Sequence, residues 1–348
     1  MKTTLSFVGD IFPGNLPYTI GFGVQSEFEK HLGENWSKAL SDLFNASDLV
    51  FGNFEAPLIE DTILRNFKPF CGHPEFVKLL KESGFKVVNI ANNHMLQYGE
   101  KNFDSTIGII NDTEIKVIGN LIEGKPNIEV LEVNGLKIAM VGFNDIHDHV
   151  NNGKYAELSL EIIDQTITSI HADIKIVSLH WGSEYMSVPS REQIEIAHKI
   201  IESGANLIIG HHPHVIQPVE KYKNGLICYS LGNFIFDMHW SKSTREGLIV
   251  DVIVDVKKPT EFDFKIRKIW IQKSYLPKVV KTHKTFLLDS QCFNNTRNVN
   301  EGALKYHKKA RAIRNWHRLI SKIYWLMNFH RQPVKVSSSI FKSFFKFR

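Results

Sequence analysis

Residues 206–217, NLIIGHHPHVIQ, run from a short apolar segment into three closely spaced histidines. The apolar residues 207–209 predict a buried strand. In an extended segment, side chains two residues apart point to the same side, so His212 and His214 can direct their imidazoles at one point. Pro213 stiffens the link between them. The pair indicates a metal-binding segment, and a polar turn without a ligand is the alternative.

Polar side chains follow four other predicted strands in the same way. They are Asp10, then Asn53 and Glu55, then Asn92, Asn93 and His94, and finally His180. In open α/β sheets the carboxyl ends of the strands form the ligand crevice, so all five groups are expected at one edge. A helix cap, a turn or a satisfied polar residue explains each group alone. Their recurrence at five strand ends favours a metal site.

The donor types restrict the metal and the chemistry. Oxygen and nitrogen ligands without thiolates suit Mn, Fe, Zn or Mg, and we expect one or two divalent ions. Two ions can clamp the attacking and leaving oxygens during hydrolysis of a phosphoester or an amide-type bond. His94 is the candidate general acid, and Glu184 is a second acid–base candidate whose alternative is a solvated loop carboxylate. Trp181 and Tyr185 are expected to wall the substrate pocket, with ordinary packing as the alternative.

Predicted strands alternate with predicted helices over the first two thirds of the chain, which indicates an α/β layered fold. The strands are expected at 5–8, 48–51, 86–90, 128–133, 136–143, 174–179, 226–230, 248–256 and 262–271. The helices are expected at 36–44, 74–82, 103–110, 158–170, 191–202 and 303–329. We expect one domain over residues 1–275 and a basic, aromatic-rich, largely helical extension over 276–348.

The composition is that of an ordinary globular protein, with 43% hydrophobic and 23% charged residues among 348. Cys71, Cys228 and Cys292 lie far apart, which argues against a disulfide framework and fits a reducing compartment. No apolar run approaches the length of a signal peptide's core or a membrane span. We therefore expect a cytoplasmic protein, with peripheral binding to the inner face of the membrane as an extension of this expectation.

The basic residues are concentrated at the C-terminal end. Residues 302–348 hold 12 Lys and Arg and no Asp or Glu, which leaves 30 basic and 37 acidic residues in the remainder. Within the predicted helix, Tyr306, Ile313, Ile320 and Met327 recur every seven residues. This pattern, joined by Trp316 and Ile323, predicts an interfacial helix on an anionic membrane. A helix docked on the body and a nucleic-acid contact are the alternatives, and no recognised motif supports specific nucleic-acid binding.

Six short motifs in this order resemble the CapA family, whose proteins are associated with capsule and poly-γ-glutamate synthesis. They are VGDIFPG (8–14), GNFEAPL (52–58), NIANNHMLQYG (89–99), SLHWGSEY (178–185), GHHPHVIQ (210–217) and SLGNF (230–234). The resemblance implies a four-layer αββα sandwich of the calcineurin-like metallophosphatase type, with its site at the strand ends.

The resemblance also implies roles for individual residues. Asp10 and His214 would bind a first metal ion, and Asn93, His180 and His212 would bind a second. His94 would take the position of the catalytic histidine in the GNH motif. Within the same motifs, Asn53, Asn92 and Asn233 are expected to contact substrate, beside Trp181 and Tyr185.

Two positions depart from the ordinary metallophosphatase pattern. Phe12 stands where the first motif usually has a histidine, and Asn53 stands where a bridging aspartate is usual. Glu55 would then have to reach into the site instead. One ion, or two ions bound unequally, therefore remain as alternatives.

The sequence favours a metal-dependent hydrolase that acts on an anionic polymer or a phosphoester in surface-polysaccharide or poly-γ-glutamate synthesis. The alternative is a non-catalytic accessory subunit with a vestigial metal site, which joins a membrane-associated synthase complex through its tail. A nucleotide phosphodiesterase is a third hypothesis that the implied fold also allows.

Overall fold

A computed structural model of the protein describes residues 1–31, 36–146, 151–281, 286–287 and 299–344. Two β-sheets lie face to face, and helices cover the outer face of each. The four-layer αββα sandwich is therefore confirmed. Cys292 and the last four residues of the aromatic and basic C-terminal end lie outside the described residues.

The strands of the described residues follow the predicted order closely. They are β1 (Lys2–Ile11), β2 (Leu49–Phe54), β3 (Phe85–Asn89), β4 (Lys116–Ile118), β5 (Leu121–Ile122), β6 (Lys125–Pro126), β7 (Glu129–Val133), β8 (Leu136–Asn144), β9 (Ile174–His180), β10 (Leu207–His211), β11 (Val219–Tyr222), β12 (Gly225–Cys228), β13 (Asn233–Ile235), β14 (Glu246–Asp255), β15 (Lys258–Ile271) and β16 (Pro277–Val279).

Of the predicted helices, those at 36–44, 74–82 and 158–170 are shorter in the structure, those at 103–110 and 303–329 are longer, and that at 191–202 has the predicted bounds. The helices of the described residues are α1 (Val24–His31), α2 (Trp36–Ser41), α3 (Thr62–Phe67), α4 (Phe76–Glu82), α5 (Glu100–Asn111), α6 (Leu160–Ser169), α7 (Arg191–Glu202), α8 (Val299–Asn328) and α9 (Val334–Phe344). The amphipathic helix α7 begins at a capping box, in which Ser190 and Gln193 satisfy each other's backbone N–H groups.

The first sheet runs in the order β16-β15-β14-β1-β2-β3-β4, and β13 pairs with the end of β1. The second runs in the order β11-β12-β10-β9-β8-β7, and β5 and β6 form a small separate ribbon. The hairpin predicted at Asn134 and Gly135 joins β7 to β8, and both residues have the positive φ that such a turn requires. The first sheet extends to Val279, four residues past the boundary at 275 that the sequence suggested.

Apolar side chains fill each of the three spaces between the layers. Phe7 and Phe51 of the first sheet pack against Met140 and Ile209 of the second, between the sheets. Helices α1, α2, α4 and α5 cover the outer face of the first sheet, and α6 and α7 cover that of the second. Folding removes the apolar faces of these strands and helices from water, and this burial stabilises the sandwich.

The register brings the chemically distinctive strand ends to one edge. In the first sheet Asp10 pairs with Asn53, which in turn pairs with Asn89. In the second sheet His180 pairs with His211. These neighbouring strands are parallel, so their carboxyl ends all reach the same edge.

Helix α8 is docked on the body of the protein. Its buried residues include Ala310, His317, Ser321 and Trp325. The Trp325 Nε1 donates to Gln332 Oε1, and the Gln332 Nε2 donates to the carbonyl of Pro17. Docking on the body was one of the alternatives that the sequence left open for this helix.

The heptad stripe lies at the border of the docked face, because Tyr306, Ile313 and Ile320 are half-buried. Met327, Trp316 and Ile323 are exposed, with Met327 72% accessible. They lie on the side of α8 that faces away from the body. Across the described ranges, none of the helices is both long enough and apolar enough to cross a bilayer.

Candidate metal centre

Three strand ends bring Asp10, Glu55 and His180 together in the space between the two sheets. One ligand atom of each lies within 4.8 Å of those of the other two, and all three side chains are fully buried. Asp10 comes from β1, Glu55 follows β2, and His180 ends β9. A carboxylate pair beside an imidazole is a donor set that suits a divalent cation.

The Asp10 carboxylate is contacted by three histidines. Its Oδ2 lies 3.3 Å from Nδ1 of His214 and accepts a hydrogen bond from the backbone N–H of His212 at 3.3 Å. Its Oδ1 lies 3.3 Å from Nδ1 of His211. Burial raises the pKa of Asp10, but the hydrogen bonds to His211 and His214 outweigh it and hold the pKa well below its ordinary value. Asp10 is therefore a carboxylate in the folded protein.

Glu55 has the clearest signature of a missing partner. Its Oε1 is buried and makes no hydrogen bond within the described part of the chain. Three imidazole Nε2 atoms face that oxygen, from His214 at 3.7 Å, His94 at 3.9 Å and His180 at 4.0 Å. All three separations are too long for hydrogen bonds, and those from His180 and His214 suit donor atoms that share one cation. The residues present therefore fit a divalent metal ion.

The Asn53 side chain lies within hydrogen-bond distance of Asp10, Glu55 and His180. Its Nδ2 lies 3.0 Å from Asp10 Oδ1, 3.3 Å from Glu55 Oε2 and 3.3 Å from His180 Nδ1. Its Oδ1 accepts hydrogen bonds from Nδ2 of Asn89 at 3.0 Å and of Asn92 at 3.3 Å. Asn53 and Asn92 are fully buried, so in this structure they orient ligands and do not face an incoming substrate.

The second group of donors surrounds His180. The Oδ1 of Asn93 lies 3.0 Å from Nε2 of His180. The His212 ring lies 4.8 Å from the His180 ring, centre to centre, and its Nδ1 makes no hydrogen bond to any described residue. Burial and the neighbouring imidazoles lower the pKa values of His180 and His212 well below the usual range. Both rings are therefore neutral, which is the form that binds metal.

His214 is held by groups on both sides. Its Nδ1 lies 3.0 Å from Oδ1 of Asn233, whose own Nδ2 donates to the carbonyl of Thr244 at 2.9 Å. Asn233 is fully buried and thus orients His214. Burial lowers the pKa of His214, but the carboxylates of Glu55 and Asp10 more than offset it and raise the pKa to about 9. Burial and the Asp10 charge also raise the pKa of Glu55 well above its ordinary value.

The backbone of the histidine segment is strained where it meets the site. His212 and His214 have φ angles of 92° and 57°, in the region that non-glycine residues seldom adopt. Each such residue costs about 1–3 kcal/mol, and this cost is tolerated mainly at functional sites. The His214 ring contacts Asp10 and Glu55, whereas the His212 ring lies beside that of His180.

His94 and Tyr185 lie at the mouth of the cluster. The His94 ring stacks on Phe70 at 4.4 Å, and its side chain is 18% exposed. The Tyr185 ring lies 6.4 Å from that of His214, and its backbone N–H donates to the carbonyl of Pro213. Glu184 lies next to it and faces Arg314 of α8, with 3.8 Å between Oε2 and Nε.

Trp181 is a correction to the predicted pocket. Its ring is fully buried among the apolar residues beneath α6 and α7, stacked 6.1 Å from Tyr229. Its Nε1 donates to the Tyr229 carbonyl at 3.1 Å. The side chain after His180 in an extended strand points to the opposite face of the sheet, so Trp181 cannot reach a substrate at the carboxylates.

Phe12 contributes no donor to the cluster. Its ring is buried, stacks on Phe236 at 4.6 Å and meets Phe70 edge to face. The position where metallophosphatases ordinarily have a histidine is thus filled by apolar packing. The cluster has one fewer donor than that pattern.

Three contributions to the site were missed by sequence reasoning. His211 was treated as a bystander, yet it contacts Asp10 and is fully buried. Asn89 was read as part of a strand, although its place as the last residue of β3 could have indicated it. No sequence signal pointed to Arg314 and His317 of α8, because their position depends on how the helix docks.

Comparison with known proteins agrees with this geometry. Residues 4–238 match the model of the family described as bacterial capsule synthesis protein PGA_cap. The chain is 35% identical over 261 residues to the PGA biosynthesis protein CapA of Bacillus subtilis, covering 70% of this chain and 66% of that protein. It is 34% identical over 270 residues to the capsule biosynthesis protein CapA of Bacillus anthracis, covering 71% and 63%. It thus spans just under two thirds of each Bacillus relative.

The chain is also similar to a more distant relative and to a solved structure. A Mycobacterium tuberculosis protein described as a "Probable polyglutamine synthesis accessory protein" is 25% identical over 228 residues, covering 58% of this chain and 59% of its own. A Staphylococcus aureus structure described as a candidate 5'-nucleotidase superposes with a TM-score of 0.50 and 13% identity. The superposition covers 88% of this chain and 58% of that one. This superposition supports the metallophosphatase-like fold.

Proposed function

Because the chain belongs to the bacterial capsule synthesis protein family, we propose that it is a metal-dependent hydrolase in the synthesis of an anionic surface polymer. The bond hydrolysed is a phosphoester or an amide-type bond, and the polymer is of the poly-γ-glutamate class named for the Bacillus relatives. Both the reaction and the polymer are carried over from the family and from the site's chemistry.

One observation carries the proposal. The Oε1 of Glu55 is buried, has no hydrogen bond within the described residues, and is faced by three imidazoles at 3.7–4.0 Å. A buried carboxylate oxygen left in this state is costly unless a cation completes its coordination.

Asp10, Glu55 and His180 would hold the ion, with Asn93, His212 and His214 as further ligands for it or for a second one. Bound there, a divalent ion of the Mn, Fe, Zn or Mg type supplies Lewis-acid stabilisation of negative charge and activates water. The buried network of Asn53 fixes the spacing of the two carboxylates in advance, so little reorganisation is needed when the substrate arrives.

His94 is the group best placed to transfer a proton to the leaving group. It lies at the edge of the cluster, it is partly exposed, and its ring is held by the stack on Phe70. Its backbone N–H also donates to Oδ1 of Asn92 at 3.2 Å, which fixes the turn that presents the ring. Glu184 stands further out, toward Arg314. It is the second acid–base candidate.

Two observations favour a second function, that of a non-catalytic accessory subunit. Phe12 fills one expected donor position with apolar packing, and Asn53 replaces a carboxylate with a neutral amide. The first change removes a donor and the second removes a negative charge, and each weakens the binding of a second ion. The printed description of the Mycobacterium relative as an accessory protein is consistent with this alternative.

A further part of the proposal concerns the exposed side of α8. Trp316, Leu319, Ile323 and Leu326 form an exposed apolar strip along the C-terminal half of the helix. The residues from 302 to the end of the chain include no acidic side chain. An exposed apolar strip among cations suits an anionic membrane surface, where a polymer synthase complex would also be found.

Turnover assays with a matched double variant test the hydrolase. The full chain is loaded with Mn²⁺ and assayed on phosphomonoester, phosphodiester and γ-glutamyl substrates. We expect measurable turnover that is abolished by His212→Ala with His214→Ala and retained in His198→Ala, which alters a histidine paired with Glu220 outside the cluster. Tight metal binding without turnover on any substrate would favour the accessory subunit.

A further inference from the structure

Helix α8 forms an outer wall of the candidate metal centre. Its contacts fall on the segment that follows His180 in the chain. His317 stacks flat on Tyr185, with 3.9 Å between ring centres and an angle of 2°. The Tyr306 hydroxyl donates to the Val188 carbonyl at 3.3 Å. The Tyr185 ring in turn lies 6.4 Å from that of His214, so Tyr185 separates the helix from the buried cluster.

A polar cavity lies between α8 and this segment. It has a volume of about 470 Å³ and is lined by Ser183, His307, Ala310, Arg311, Arg314, Asn315 and Arg318. Three arginines and a histidine line it, and no carboxylate does so among the described residues. Glu184, which follows Ser183 in the chain, faces Arg314, with 3.8 Å between Oε2 and Nε.

The guanidinium groups of this cavity have hydrogen-bond donors that the described residues leave unused. The Nε of Arg314 is buried and makes no hydrogen bond to a described residue. Arg311 and Arg318 are exposed, and no ion pair joins either of them to an acidic side chain in the described ranges. Guanidinium groups present several donors in a fixed plane, which matches the oxygens of a carboxylate or a phosphate.

The cavity is close enough to the metal centre to act on the same ligand. Arg314 and His317 are three residues apart on α8 and therefore lie on one face of the helix. The His317 ring stacks on Tyr185 at 3.9 Å, and the Tyr185 ring lies 6.4 Å from that of His214. Tyr185 thus lies between the cations of α8 and the buried cluster.

We propose that Arg311, Arg314 and Arg318 form an anion subsite that binds a carboxylate or phosphate group of an extended polyanion whose neighbouring unit reaches the metal centre. This placement beside the metal centre rests on the proposed function. The subsite belongs to α8, which lies outside the residues 4–238 matched by the family model, so it is a feature of this chain's own C-terminal region.

Calorimetric titration of the full chain tests the subsite directly. The probes are a hexamer of γ-linked glutamate, a hexamer of glycerol phosphate, and the uncharged α-carboxamide of the glutamate hexamer. Arg314→Ala with Arg318→Ala is compared with Lys305→Ala with Lys309→Ala. The second pair removes the same charge from exposed positions of α8 outside the cavity.

We expect at least one charged hexamer to bind and the carboxamide not to bind. The arginine pair should weaken binding about tenfold or more, because charge-assisted hydrogen bonds are lost. The lysine pair should weaken it by less than about twofold at 0.15 M salt. Preference for one hexamer identifies the anion as carboxylate or phosphate.

Two results would overturn the subsite: binding of neither charged hexamer by the wild type, or equal weakening in the two variant pairs. These binding measurements do not depend on turnover. If the wild type hydrolyses no substrate but the two pairs differ as expected, the hydrolase fails and the subsite stands. If turnover is seen and the pairs do not differ, the subsite fails and the hydrolase stands.

Discussion

Asn53→Asp is the most informative single substitution at the centre. It replaces the amide that lies 3.0 Å from Asp10 Oδ1 and 3.3 Å from Glu55 Oε2 with a carboxylate of the same shape. The hydrogen bond to Asp10 becomes a repulsive contact between anions, and the Glu55 carboxyl, whose pKa is already raised, is pushed further toward its protonated form. The substitution adds a negative charge beside Asp10 and Glu55, so its effect depends on whether a cation is present.

The size of the effect follows from these distances. At an effective dielectric constant of about 20, two unit charges 3.0–3.3 Å apart repel by about 5 kcal/mol. One of the carboxyls can avoid this by staying protonated, at a free-energy cost of similar size near neutral pH. A loss of about 5 kcal/mol is comparable to the whole stability of many domains. A divalent ion at about 1,000 times its Kd restores about 4 kcal/mol.

Urea unfolding with EDTA and with excess Mn²⁺ measures both parts of this prediction. We expect Asn53→Asp to be strongly destabilised in EDTA and to gain more stability from Mn²⁺ than the wild type gains. The control is Asn206→Asp, at a half-buried asparagine that accepts from the Lys175 N–H outside the cluster. Unchanged stability of Asn53→Asp in EDTA, or the same response to Mn²⁺ as the wild type, would refute the arrangement of donors described above.

Three further predictions concern other parts of the molecule. Burial raises the pKa of Asp237 from 3.8 to about 7, so this carboxyl increasingly destabilises the fold as pH rises from about 4 to about 7. Asp237→Asn should therefore raise the free energy of unfolding by up to about 4 kcal/mol at pH 8 and by little at pH 4, and an equal change at both values would be evidence against it. His94→Gln should lower kcat by about 10²-fold or more while metal content stays unchanged, and loss of the metal instead would make His94 a ligand. Trp316→Ser with Ile323→Ser, both on the exposed side of α8, should reduce co-sedimentation with anionic liposomes but not the unfolding free energy; unchanged sedimentation would remove the membrane from the proposal.

The strand-end groups were readable from sequence because parallel strands place their carboxyl ends at one edge. Asp10, Asn53 and His180 each follow an apolar run, and the register of the sheets brings them together. The four-layer arrangement needed more than periodicity, because an apolar run such as 207–209 does not specify which sheet it joins. The motif resemblance supplied that information, and the pairing of β10 with β9 and β12 confirmed it.

Other features depend on three-dimensional contacts that no local pattern encodes. Asn53, Asn92 and Asn233 were expected to meet substrate, but each is fully buried and hydrogen-bonds to a neighbouring site residue. The side of α8 that packs was only partly given by the heptad pattern, because the helix has apolar residues on two sides. Trp325 and Ala310 meet the body, whereas Met327 faces away from it.

The central claim is that the buried cluster around Glu55 holds a divalent ion, and the metal dependence of unfolding tests it most directly. The free energy of unfolding and the metal content are measured for the wild type, Glu55→Gln and Glu220→Gln. Glu220 is an equally buried glutamate, which bonds to His198 and Tyr229 away from the cluster. The prediction is that the wild type and Glu220→Gln carry about one or two ions and lose about 3–4 kcal/mol on chelation, whereas Glu55→Gln binds less metal and responds little. A metal-free wild type whose unfolding free energy is the same in EDTA and in excess Mn²⁺ would contradict it.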